Sequence, residues 1–250
     1  MIKKEEIIFR GAKNKPAVCD IFSYLPSNIE EASLGNLYII AELKTEDESS
    51  SLVNLLIPLI KREYYSAPHR GPLTSLESCL KKSNQILNEL ANQGNLNWLG
   101  KLNFICAVLN KEQDLFLAQA GDTHAWLLRE GQLVNLNKKA VPSPKKPHPA
   151  KTFQSLISGK ITCGDKLIFA TSGISNLFSP PGFKQLACLP KIEMISDQIN
   201  KVMREQKKPP ILGLIILEVV AEDHEKTTPL NEENQKKFIT PPIDLEEILK

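Results

Sequence analysis

From residue 102 to residue 136 the sequence is a run of short strands with only turns between them. Residues 103–109, 115–120, 125–129 and 132–136 each carry the apolar or alternating pattern of a strand. Asn110-Lys111-Glu112-Gln113-Asp114 and Glu130-Gly131 are hairpin turns. Parallel neighbours need a crossover of about a dozen residues or more, and no gap here is that long. The stretch therefore reads as an antiparallel meander and excludes a Rossmann-like succession of strand and helix.

The flanks supply the remaining elements. Residues 2–10 and 17–24 alternate as strands, with Gly11-Ala12-Lys13-Asn14-Lys15-Pro16 as turn chemistry between them. Residues 37–43 and 210–220 are almost continuously apolar, as strands covered on both faces would be. Residues 52–65 read as a helix kinked at Pro58. A second helix is framed by a capping box, Thr74-Ser75-Leu76-Glu77, and stopped by Gly94. Residues 166–170 form a further buried strand, residues 175–178 a helical turn broken by Pro180-Pro181-Gly182, and residues 192–206 an amphipathic helix with Ile195, Ile199 and Met203 on one side.

Charge divides the chain unevenly. The last thirty residues, 221–250, carry −4 and the rest carries +6. The domain organisation expected is therefore a folded body over 1–220 and a polar, acidic, disordered tail over 221–250. A mildly basic body falls short of a nucleic-acid footprint. No run approaches the roughly eighteen apolar residues of a membrane span, and the N-terminus lacks a signal-peptide pattern. Cys19, Cys79, Cys106, Cys163 and Cys188 are odd in number and scattered, which fits reduced, buried thiols in a cytoplasmic protein. Residues 138–151 hold five lysines and four prolines without an acid, a stiff cationic arm that reads either as a connector or as an anion-binding segment.

Two segments carry a family resemblance. Gly121-Asp122-Thr123-His124-Ala125-Trp126, with the strand and turn around it, resembles the Gly-Asp-Ser-Arg-Ala-Tyr segment of PPM-type (protein phosphatase 2C-like) metal-dependent serine/threonine phosphatases. Gly164-Asp165-Lys166-Leu167-Ile168-Phe169-Ala170-Thr171-Ser172-Gly173-Ile174 is similar to that family's Gly-Asp-x-Leu-Leu-Leu-x-Ser-Asp-Gly-Leu segment. The resemblance covers residues 1–220. It implies an α+β fold, a four-layer α-β-β-α sandwich of two antiparallel sheets. It also implies a chemistry in which aspartates at one edge hold two Mg or Mn ions around an attacking water.

Against that pattern the acids are depleted. The family's Arg-x-x-Asn-Glu-Asp corresponds to Lys15-Pro16-Ala17-Val18-Cys19-Asp20, which leaves Lys15 at the phosphate-binding position and Asp20 as a carboxylate. Val-Ala-Asp-Gly-Met-Gly-Gly corresponds to Ile40-Ala41-Glu42-Leu43-Lys44-Thr45, so Glu42 stands for the bridging aspartate and the glycines are gone. Ser172 replaces the aspartate of Ser-Asp-Gly, and Pro209-Pro210 replaces the last acid. The family's small threonine pair before the central strand corresponds to Lys101-Leu102. Asp122 is retained where family members place an accessory metal, and it also shapes the turn.

The resemblance thus yields vestigial metal positions at Asp20, Glu42 and Asp122, a phosphate-binding Lys15, and no catalytic residue. The leading expectation is an inactive pseudophosphatase with a regulatory or binding role. It would need no cofactor, and its partner would be an acidic or phosphorylated protein segment. A divergent active phosphatase using Mg or Mn is the alternative; an unrelated αβ interaction domain is the third. His124 reads as an exposed or satisfied hairpin side chain, and Ser172-Gly173 lacks a nucleophile elbow.

Overall fold

Among the described residues strand pairing is antiparallel throughout and sorts ten strands into two sheets. The computed structural model describes residues 1–10, 17–44, 50–139, 147–154 and 156–221. One sheet holds Ile2–Phe9 (β1), Leu212–Val219 (β10), Lys166–Thr171 (β9), Thr123–Arg129 (β6) and Gln132–Asn135 (β7), side by side in that order. The other holds Ala17–Tyr24 (β2), Asn36–Lys44 (β3), Leu102–Leu109 (β4), Asp114–Ala120 (β5) and Leu156–Lys160 (β8).

The two sheets stack face to face over an apolar layer that includes Ile40, Ile105, Leu117, Phe169 and Ile215. Ser50–Tyr65 (α2) and Pro72–Asn92 (α3) cover the outer face of the β3 sheet through Leu56, Ile60, Leu76 and Cys79. Pro180–Ala187 (α4) and Ile192–Glu205 (α5) cover the outer face of the other sheet through Phe183, Ile195 and Ile199. The expected four-layer α-β-β-α sandwich is the fold. Its arrangement explains why β3, β4, β9 and β10 are apolar on both faces: each lies between a helix layer and the opposite sheet. Met1 to Val220 packs as one compact unit.

Several local expectations are corrected. The meander is not continuous, because Gly121-Asp122 carries the chain from one sheet to the other: β5 pairs with β4 and β8, and β6 with β7 and β9. That crossing needs a glycine. Gly121 has φ +71°, and a Cβ there would lie 2.3 Å from the Leu102 carbonyl oxygen. The box at Thr74-Glu77 does not open α3, which begins at Pro72 behind Gly71, a proline at the first turn being preorganised for helix. Likewise Pro180-Pro181 starts α4, whose first turn is capped by Ser179 Oγ accepting from the Gly182 N–H at 3.4 Å. Pro58 lies inside α2, as the sequence reading placed it. The edge strand β8 and the short helix Ile29–Ala32 (α1) have no counterpart in the sequence reading. Of the five thiols, Cys19, Cys79 and Cys106 are buried, whereas Cys163 and Cys188 are exposed.

Candidate functional site

The resemblance singles out residues from six parts of the chain, and the sandwich gathers most of them at one edge. Glu42 lies near the end of β3, Asn103 is the second residue of β4 directly opposite it in register, and Asp122 lies at the sheet crossing. Ser172 follows β9, and Pro210 and Ile211 precede β10. Around Glu42 and Ser172 is a pocket of about 300 Å³, whose wall also includes Lys44, Asn176, Pro210 and Ile211.

The strand period decides which side chains meet. Residues 38, 40 and 42 of β3 face the space between the sheets, so the Glu42 carboxylate is only 1% exposed at the mouth of that space. Asn103 Nδ2 donates to Glu42 Oε2 at 3.4 Å, and the Asp122 N–H donates to Asn103 Oδ1 at 2.8 Å. Asn103 thereby ties the two retained acids together. Across β2 the residue opposite Glu42 is Cys19, not Asp20. Cys19 Sγ sits against Gly213 between the sheets. Asp20 alternates to the helix-facing side with Val18 and Phe22 and accepts from the Ile21 N–H at 3.0 Å. Of the three sequence-predicted metal positions, the fold therefore brings Glu42 and Asp122 together and turns Asp20 away. Lys15 lies outside the described residues, as do residues 140–146 of the basic arm.

Sequence reasoning counted Lys44 only as a missing glycine. Its ammonium donates to Ser172 Oγ at 2.8 Å and stands 3.6 Å from Glu42 Oε1. It thus bridges two positions where the resemblance expects metal-binding carboxylates. Alternation along β3 puts residues 42 and 44 on one side, which is the signal that was available. The contact with Ser172, 128 residues later, was not. Burial raises the Glu42 pKa above its ordinary 4.5, opposed by Lys44 and by the Asn103 bond and reinforced by Asp122. The close approach of the next segment is fixed by Gly173, where a Cβ would fall 1.9 Å from the Ile211 carbonyl oxygen.

This donor set does not fit a pair of divalent cations. Among the described residues the Glu42 carboxylate is engaged by the Lys44 ammonium and the Asn103 amide, and no three His, Cys, Asp or Glu side chains cluster to hold a metal. The second Gly-Asp segment proves architectural. Asp165 is 2% exposed and takes a two-pronged grip from Arg129, Nε to Oδ1 at 2.9 Å and Nη2 to Oδ2 at 2.6 Å, with the Thr162 N–H at 2.7 Å.

The fold is that of the PPM-type serine/threonine phosphatases. The Mycobacterium tuberculosis serine/threonine phosphatase PstP/Ppp superposes with a TM-score of 0.64 at 13% identity, over 88% of this chain and 99% of that one. The catalytic domain of PstP in complex with two manganese ions matches at 0.63 and 13%, over 88% and 98%. PppA, a key regulatory component of the type VI secretion system in Pseudomonas aeruginosa, matches at 0.56 and 12%, over 81% and 97%. No protein-family profile and no curated protein matches the chain.

Proposed function

We propose that this domain is a PPM-type phosphatase fold in which an internal ammonium takes the place of the divalent-metal centre, and that it acts by binding, not by phosphoester hydrolysis. The observation that carries the reading is Lys44 Nζ between Ser172 Oγ and Glu42 Oε1. At an effective dielectric of about 20, two unit charges about 4 Å apart interact by about 4 kcal/mol, and a divalent ion doubles that. A metal brought to Glu42 would meet this repulsion with one fewer carboxylate to offset it. The domain then needs no cofactor, and Asp20, Glu42 and Asp122 are vestigial.

The partner proposed is an acidic or phosphorylated protein segment, in a regulatory role. Supporting it, a pocket of about 390 Å³ beside Gly121 and Asp122 is walled by His148 and Lys151 from the end of the basic arm. Lys101, which precedes β4, would add a cation on the same edge, and Lys15 is where the resemblance expects phosphate binding. The three buried thiols support a reducing, cytoplasmic setting. No helix among the described residues is long and apolar enough to cross a membrane.

The test is turnover of p-nitrophenyl phosphate and a phosphopeptide with excess Mn or Mg, beside calorimetric titration of each ion. No metal-dependent rate above a metal-free blank is expected, and no saturable heat. Metal-dependent turnover that disappears in Glu42→Gln would overturn the reading and restore a divergent active phosphatase.

A further inference from the structure

Around the corner from Lys44, on the outer face of the β6 sheet, lies a second and larger cleft. It measures about 620 Å³, within the range of small-molecule sites, and its apolar walls are Trp126, Phe178 and Phe183. At one end the Ser175 hydroxyl and His124 Nε2 are 3.0 Å apart. This is the separation at which an imidazole can take a proton from an alcohol. The two residues come from different elements: His124 from β6, Ser175 from the 3-10 turn Ser172–Asn176 that follows β9.

The pair is held and open at once. The His124 ring stacks on Trp126, centroids 5.0 Å apart and planes at 15°, and Trp126 in turn packs on Phe183 at 4.4 Å. The imidazole thus has little freedom to turn away from Ser175. Ser175 itself is exposed at the cleft mouth, so a substrate can reach it. Lys184 from α4 is the charged side chain on the opposite wall.

We infer that Ser175 is a histidine-activated nucleophile and that the cleft beside it receives carboxylic esters with an apolar or aromatic acyl group. In the first step Ser175 Oγ forms a bond to the carbonyl carbon and passes its proton to His124 Nε2. The carbon–oxygen bond to the leaving alcohol breaks, and that alcohol leaves with the proton. In the second step His124 takes a proton from water, whose oxygen attacks the acyl-serine. The acid departs and the proton returns to Ser175. No co-reactant other than water is needed, and nothing in the step depends on the Lys44 site.

The experiment uses the full chain with a fluorophosphonate probe and with p-nitrophenyl benzoate. Peptide mass mapping should place the probe on Ser175, and the ester should give a burst of about one p-nitrophenolate per chain. Ser175→Ala should abolish both, and His124→Asn, which keeps the approximate size of the ring, should slow labelling by about 100-fold or more. Circular dichroism on each variant confirms folding, and the site mapping on the unaltered chain stands independently of the variants. Absence of labelling at Ser175, absence of the burst, or labelling in a folded His124→Asn chain at the unaltered rate would each overturn the inference.

Discussion

A buried carboxylate is stable in a fold only when its lone pairs are met, and the two buried acids among the described residues, Asp165 and Glu42, resolve that demand in opposite ways. Asp165 meets four donor contacts, from Arg129 and Thr162. Burial pulls its pKa upward, but the Arg129 fork and the Thr162 bonds outweigh it, and the net value lies below 3.8. Arg129 is 40% exposed and keeps its bond to the Lys160 carbonyl, so Asp165→Ala costs mainly the charge-assisted bonds and should lose about 1–3 kcal/mol in urea unfolding. A group held below its unfolded pKa stabilises fully above that value and ceases to do so as pH falls through the folded one. The margin over Asp165→Asn should therefore be flat between about pH 6 and 8 and shrink below about pH 4. Glu42 is the reverse case, with fewer donors and a raised pKa. The residue scale is also where the sequence was least informative. Glu42 could be picked out by its place in a motif, but Lys44 became meaningful only once Ser172 stood beside it. Ser175 and His124 were separate residues until β6 and β9 paired, His124 lying opposite Ala170.

At the scale of elements, legibility followed burial. β3, β4 and β10 announce themselves because both faces are covered, and their boundaries in the structure differ from the sequence reading by a residue or two. The edge strand β8, Leu-Ile-Ser-Gly-Lys, is mostly exposed and owes its form to pairing with β5 about forty residues earlier, which no local pattern encodes. Proline misled the reading once, at Pro180, which opens a helix instead of breaking one, whereas Pro58 sits within a helix as the sequence placed it. Pro58 is exposed and supplies no donor to the preceding turn. Pro58→Ala should accordingly raise stability by about 1–3 kcal/mol, read as a higher midpoint of chemical unfolding with an unchanged slope.

Over the whole molecule, the termini of the folded unit are joined. β1 pairs along its full length with β10, Ile2 opposite Val219, and the amino terminus donates to the Val220 carbonyl at 3.0 Å. The sheet that carries His124 and leads into Ser172 therefore completes itself only when both ends of the folded unit have met, which is slow because loop closure over such a span must precede any gain. Deleting residues 1–10 would bare the edge of β10 and uncover Leu214 and Ile216. The shortened chain is expected to aggregate or to lose the cooperative transition of the full chain, as seen in thermal unfolding followed by light scattering.

A divalent centre is filled or emptied by the solution around it, whereas the Lys44 ammonium is fastened to the backbone between two of its partners. No chelator can strip it, no shortage of manganese can vacate it, and dilution leaves its local concentration unchanged. Its occupancy is a matter of side-chain torsions: the ammonium is either docked on Ser172 and Glu42 or turned out into water, which its 47% exposure permits. A site built this way answers to ionic strength and to any competitor for Glu42. Its charge is inherited with the sequence instead of being acquired from the medium.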